Sequence, residues 1–126
     1  MIRILLIEDN AGDVRLVKQM LKERSMSSSS VLPFEFELVS AARLHEGMQV
    51  ILSERFDVIL IDLSLPDSEG LTTVQQVCIA APETPIIVLS GSNDEVTATA
   101  AVGEGAQDYL LKGHIDSEIL ARSIRY

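Results

Sequence analysis

Three runs of the chain are apolar without interruption: Ile4-Leu5-Leu6-Ile7, Val58-Ile59-Leu60-Ile61 and Ile86-Ile87-Val88-Leu89. Branched residues in runs that do not alternate predict strands covered on both faces, as in a parallel sheet between helices. Phe34-Glu35-Phe36-Glu37-Leu38 alternates instead, which predicts a half-exposed edge strand. Asp108-Tyr109-Leu110-Leu111 predicts a last strand. Helical spacing fills the intervals. A first helix is predicted from about Gly12 to Arg24, with Val14, Val17 and Leu21 on one face and Asn10 as its cap. A second spans roughly Arg43 to Glu54 and turns Leu44, Met48, Ile51 and Leu52 inward. A third follows the Pro66-Asp67-Ser68-Glu69-Gly70 turn, from about Leu71 to Ala80. A fourth, Ala-rich helix capped by Asn93 or Asp94 ends near Val102, with Gly103 and Gly105 as left-handed stops. The last runs from about Asp116 to Tyr126.

Strands that alternate with helices of this length predict a parallel sheet with right-handed crossovers. The 126 residues make one domain, 1–126, large enough for a real core. Ser25 to Pro33, with serines at 27 to 30, resembles a flexible loop but is too short to separate domains. No repeat at a solenoid period is visible. Pro82 and Pro85 bracket the start of the Ile86 strand.

A hydrophobic content of 47% excludes a disordered chain, and no apolar run reaches membrane-spanning length. The single cysteine, Cys78, permits no intrachain disulfide. The N-terminus enters a strand without the pattern of a signal peptide. These features together predict a cytoplasmic protein with no membrane association. The net charge of −9 argues against direct nucleic-acid binding, and an aromatic content of 4% without Trp offers no base-stacking platform. An acidic balance suits a protein partner or a cation.

Chemistry is concentrated where the predicted strands end. Ile7 is followed by Glu8-Asp9, Ile61 by Asp62, Leu89 by Ser90, and Leu111 by Lys112. Open α/β sheets bind ligands beyond their strand C-termini, at the point where strand order reverses. The flavodoxin-like order 2-1-3-4-5, with helices on both faces, makes the first and third strands neighbours and brings Glu8, Asp9 and Asp62 together. Converging carboxylates repel, so a bound cation or raised pKa values must relieve them. Oxygen-only ligands favour Mg²⁺, and the Ser64 backbone carbonyl is placed to complete its shell. Asp62 is then the nucleophile toward a phosphoryl group. Lys112 acts as a point charge on one phosphoryl oxygen and Ser90 hydrogen-bonds another.

These segments resemble a response-regulator receiver domain over essentially the whole chain. Leu6-Ile7-Glu8-Asp9-Asn10 resembles the acidic-pair segment, and Ile61-Asp62-Leu63-Ser64-Leu65-Pro66-Asp67 with Gly70 resembles the phosphoacceptor strand and turn. Leu89-Ser90-Gly91 resembles the hydroxyl switch, and Tyr109-Leu110-Leu111-Lys112 the aromatic and lysine positions. The resemblance implies Mg²⁺-dependent transfer of a phosphoryl group to Asp62 from the phosphohistidine of a histidine kinase or histidine phosphotransfer protein. It also implies an output domain or homodimer partner on the face of the fourth helix, last strand and last helix. Catalysis would be limited to self-phosphorylation and autodephosphorylation, so the chain is not expected to be an enzyme. One departure is Gly113 after Lys112, where family members usually carry Pro, often through a cis bond. Gly removes the reason for a cis peptide and loosens the last loop. Ser64 and Ser92 flank the site, where side chains tune water access, and both are small.

Plainer readings stand beside these. Ser90 alone reads as a turn residue, Tyr109 equally as a half-buried sheet residue or a switch, His45 as solvated, His114 as a surface loop residue and Cys78 as a small buried hydrophobe. Three rival functions remain. An aspartate-nucleophile phosphatase needs an acid/base carboxylate two residues after its nucleophile, and Ser64 stands there. A non-phosphorylated pseudo-receiver that serves only as a docking module is disfavoured by the complete set Glu8, Asp9, Asp62, Ser90 and Lys112. Flavin binding on this fold is electrostatically mismatched to acidic strand ends.

Overall fold

The computed structural model describes residues 2–25, 35–65, 68–69, 71–91, 100–113 and 115–125. The serine run, Pro33-Phe34, Pro66-Asp67, Gly70, Ser92 to Asp94 and His114 lie outside these residues, and the expectations placed on them are not addressed. The strands are β1 (Ile2–Ile7), β2 (Phe36–Ala41), β3 (Val58–Asp62), β4 (Ser64–Leu65), β5 (Ser68–Glu69), β6 (Ile86–Ser90) and β7 (Asp108–Leu111). The helices are α1 (Ala11–Ser25), α2 (Leu44–Ser53), α3 (Leu71–Ala80), the helical residues 100–103 (α4) and α5 (Ser117–Arg125).

Five strands form one sheet in the order β2-β1-β3-β6-β7, every pair parallel. Counted along the chain, this is the expected 2-1-3-4-5. The central strands are the uninterrupted apolar runs, and β3 and β6 are buried along their whole length. Their alternate residues face opposite sides. Ile4, Leu6, Leu60, Ile87 and Leu89 pack with Val17, Met20 and Leu21 of α1 and Leu120 of α5. Leu5, Ile7, Ile59, Ile61 and Ile86 pack with Leu44 of α2 and Val77 of α3. A third cluster joins Val88 to Leu63, Val74, Ala101 and Ala106, with Tyr109 against it. Each fully buried Leu or Ile contributes about 1.5–3 kcal/mol, so the two-sided core fixes which strands are central.

Helix ends follow their caps. The Asn10 side chain accepts from the Asp13 amide (3.1 Å) and its carbonyl from the Val14 amide (3.0 Å), which starts α1 as expected. Asp116 caps α5 in the same way, accepting from the Ile119 amide at 2.8 Å. At the N-terminal rim Arg3 pins the sheet. Its amide donates to Asp57 (2.7 Å), its guanidinium donates to the Arg55 carbonyl (2.7 Å), and it lies over the Phe56 ring at 4.9 Å.

Three expectations are corrected. The edge strand begins at Phe36 and runs to Ala41, because it pairs with β1 from Ile2↔Phe36 through Ile7↔Ala41 and is as long as its partner. Leu52 is 80% exposed. A Cβ on Gly47 would lie 2.6 Å from Ile7 Cδ1, so α2 approaches β1 along the Leu44-Gly47-Ile51 stripe, and Leu52 falls outside it. Of these two glycines only Gly105 is left-handed, at φ 116°; Gly103 is the last helical residue of α4. Gly105 is also sterically required, since a Cβ there would sit 2.8 Å from Cys78 Sγ. Cys78 itself is half-buried, and its thiol donates to the Glu104 carbonyl at 3.5 Å.

Gly105→Ala is therefore expected to destabilise the domain by about 1–3 kcal/mol, the cost of a side chain in a glycine-only conformation. Gly113→Ala is its control, because nothing lies within 4 Å of a Cβ at Gly113. Urea denaturation of both variants checks this, and equal stabilities would contradict it.

Candidate phosphoryl and cation site

Strand register decides which side chains meet. Ile7 is level with Ile61, so Glu8 and Asp62 leave β1 and β3 side by side. Asp62 is level with Leu89 and Ser90 with Leu111, which carries the same rim on to Ser90 and Lys112. The Lys112 amide donates to the Ser90 carbonyl at 2.9 Å and holds the last loop to β6. The order of residues along the rim is thus Glu8, Asp62, Ser90, Lys112.

The lysine does not stay at its own end of that row. Its Nζ lies 2.7 Å from Glu8 Oε2, 2.9 Å from Asp13 Oδ2 and 3.5 Å from Asp62 Oδ1. Glu8 and Asp62 are 2% and 5% exposed, so both carboxylates are almost wholly withdrawn from water. Glu8 Oε1 accepts from the Asn10 amide at 3.2 Å. Its Oε2 is buried without an aligned hydrogen-bond donor among the described residues, so the Lys112 contact is an ion pair of poor angle. Burial pushes the Glu8 carboxyl up to about 7, and the Asp62 charge adds to this against the opposing pull of Lys112 and the Asn10 amide. Burial alone would lower the Lys112 ammonium; its contacts with the Glu8 and Asp13 carboxylates and the charge of Asp62 reverse this and raise it.

Glu8, Asp9 and Asp62 each present an oxygen within 4.8 Å of the others. Asp9 is exposed and forms the open side of the cluster. This donor set fits a hard divalent cation. It is all oxygen and mostly buried, and it holds one Glu8 oxygen that no other described residue satisfies with good geometry. Ser64 lies two residues beyond Asp62 in β4, level with Glu69 of β5. Ser90 is buried, at 7% exposed. Tyr109 is half-buried on β7, level with Val88, and packs on the cluster that contains Ala101 of α4. His45 is exposed, as expected.

Asp13 was not anticipated. An acidic residue in the first turn of a helix ordinarily reads as a complement to the helix dipole. The signal that singles it out is its spacing: three residues after the Asn10 cap, on the turn that overhangs the strand ends. A cleft of about 410 Å³ adjoins the acidic pair, lined by Glu8, Asp9, Val14, Arg15, Lys18 and Ser40. A larger one, about 620 Å³, lies at the opposite rim around Arg3, Phe56 and Pro82, away from this cluster.

Comparison with known proteins agrees with the geometry. The profile of the response regulator receiver domain matches residues 4–124. The cell cycle transcriptional regulator CtrA of Caulobacter vibrioides is 32% identical over 120 residues, which are 95% of this chain and 48% of that protein. The chain thus spans about half the length of this curated relative. Among solved structures, a CheY-like response regulator receiver domain protein from Methanospirillum hungatei JF-1 superposes with a TM-score of 0.81 at 25% identity, over 99% of this chain and 91% of that one. A response regulator protein from Burkholderia pseudomallei, solved with a phosphorylated aspartic acid, calcium ion and citrate, gives 0.80 at 26%, over 98% and 66%. Register, buried carboxylates, lysine and profile agree: the chain belongs to the response regulator receiver domain family of two-component signalling.

Proposed function

We propose that Asp62 accepts a phosphoryl group from the phosphohistidine of a partner histidine kinase or phosphotransfer protein, and that the aspartyl phosphate switches a protein-interaction surface. The observation that carries this reading is the constellation at Asp62. A buried carboxylate stands at the sheet's switch point, with Glu8 and Asp9 oxygens within 4.8 Å and the Lys112 ammonium at 3.5 Å. An Asp62 oxygen attacks phosphorus, the P–N bond breaks, and its electron pair leaves with the imidazole. Lys112 offers its charge to an equatorial oxygen and Ser90 its hydroxyl. Glu8, Asp9, Asp62 and the Ser64 carbonyl are the groups that would hold Mg²⁺, which when bound offsets the charge gathering on the phosphoryl oxygens. The phosphorylated aspartate and calcium ion of the Burkholderia relative support both parts.

Each phosphorylation consumes one donor and leaves the protein changed, so the chain acts as a switch rather than as an enzyme. Response-regulator receivers interact with kinases and output domains. In this chain the output works through protein contact at α4, β7 and α5, not through nucleic acid, in keeping with the net charge of −9. No described helix is long and apolar enough to cross a membrane, and a cytoplasmic setting follows from the reading.

Asp62→Asn should fold and yet gain no phosphoryl mass on incubation with acetyl phosphate and Mg²⁺. Intact mass spectrometry reads the result, and labelling of the variant at the wild-type rate would reject Asp62 as the acceptor.

Glu8 holds its proton more tightly in the folded chain, near 7, than at its ordinary 4.5. This group therefore favours the folded state most below about 4.5, and its contribution is lost as the pH rises through about 7. Denaturation in chelator across that window should show the decline, and Glu8→Gln should remove it. An unchanged slope in the variant would refute the assignment.

Tyr109 and Ala101 share a packed cluster beside Ser90 on the adjoining strand. Beryllofluoride, a phosphoryl mimic, should move the amide signals of both as Ser90 is drawn inward. Shifts confined to residues 8, 9, 62 and 112 would show that the signal does not leave the pocket.

A further inference from the structure

Asp13 is the one member of the Lys112 cluster that the phosphoryl-transfer reading does not use. From the contacts around the ammonium we infer that Asp13 is a positioning residue: its carboxylate draws Lys112 toward α1 and away from Asp62, which leaves Asp62 open to a divalent cation and to the phosphoryl group. The inference rests on the cation site proposed above and adds a residue that regulates it.

An ammonium and a divalent cation compete for the same carboxylate oxygens. In the resting chain the ammonium already contacts Glu8 at 2.7 Å, yet it stands at 3.5 Å from Asp62 and at only 2.9 Å from Asp13. Asp13 also accepts a hydrogen bond from Nζ. Asp13 lies outside the group of oxygens that converge within 4.8 Å, so its own bond to Lys112 uses no candidate ligand of the cation. Its place is fixed from below, because its amide is bound by the Asn10 cap at 3.1 Å.

Among the described residues the lysine's surroundings give it no alternative on that side. The small cavity beside Glu8, Asp13 and Lys112 is otherwise walled by Leu16, Val17, Met20, Leu89 and Ile115, all apolar. With Asp13 neutralised, the flexible four-carbon stem is free to swing. The ammonium then turns to the other carboxylates it already contacts, Glu8 and Asp62. It would settle on the acceptor itself.

The test uses the full chain, with isotope-labelled lysine and Mg²⁺ alone as the probe. In chelator, Asp13→Asn should move the Lys112 ε-methylene resonance and leave that of Lys18 in place. In an Mg²⁺ titration the same variant should bind about two- to fivefold more weakly, the scale of a partly exposed ion pair, and Asp13→Glu should restore most of the loss. In a Lys112→Met background Asp13→Asn should change the affinity by less than about twofold, since the two sites no longer interact. An equal loss in both backgrounds would mean that Asp13 acts by charge alone and would overturn the inference. So would an unmoved Lys112 resonance. Absence of Mg²⁺ binding to the unaltered chain would reject the cation reading instead, and the metal-free resonance would still decide the role of Asp13. If Lys112→Met does not fold, that resonance decides by itself: movement upholds the inference and its absence overturns it.

Discussion

One ammonium among three carboxylates is the interaction on which the strand-end rim depends. Glu8 and Asp62 are both buried and stand on adjacent strands. Two such groups in a poorly solvated site cannot both ionise without a counter-charge. Lys112 supplies it by reaching from β7 across β6 to β1 and β3. The arrangement therefore ties the edge strand to the centre of the sheet. Buried pairs of this kind are weak contributors to net stability, because desolvation offsets most of their attraction. Their value here is that they can be exchanged. On the proposed function a divalent cation would take over the neutralisation of Glu8 and Asp62, and the lysine would then turn to a newly added anion. The Glu8 carboxyl stays raised because its burial outweighs the pull of Lys112 and the Asn10 amide.

Most of this architecture is legible in the sequence because it rests on patterns that burial enforces. The runs at Ile4, Val58 and Ile86 could only be central strands, and the observed α3 coincides with the predicted Leu71 to Ala80. Glu8, Asp62, Ser90 and Lys112 are legible for the same reason: each is the first polar residue after an apolar run, so each marks a strand end on one rim. What was missed depends on tertiary neighbours. Leu52 looks like a core residue until Gly47 sets the rotation of α2 against Ile7. The start of β2 is set by the length of its partner, not by its own alternation. Gly103 and Gly105 are indistinguishable as local stops, and only the contact with Cys78 and the turn into Ala106 select Gly105. Asp13 escaped notice because its partner is 99 residues away.

The direction in which a signal can leave the site follows from where the structure is rigid. Strands β1, β3 and β6 are packed on both faces, and such close-packed interiors deform little. The N-terminal rim is pinned by Arg3 through Asp57, Arg55 and the Phe56 ring. On the β2 side, Glu8 is fixed by its amide bond to the Ala41 carbonyl at 2.9 Å. The β7 side differs. Three of the four residues of β7 are only partly buried, Tyr109 packs against a cluster in which the small side chains of Ala101 and Ala106 stand beside Leu63, Val74 and Val88, and Gly113 follows with open space around it. Small neighbours leave a ring room for a second packing, and two packings that differ by a few kcal/mol are what a new charge can rebalance. The same lysine that neutralises the resting site is anchored on this strand, one residue beyond Leu111. A force applied to its ammonium is therefore delivered to the part of the fold that can yield.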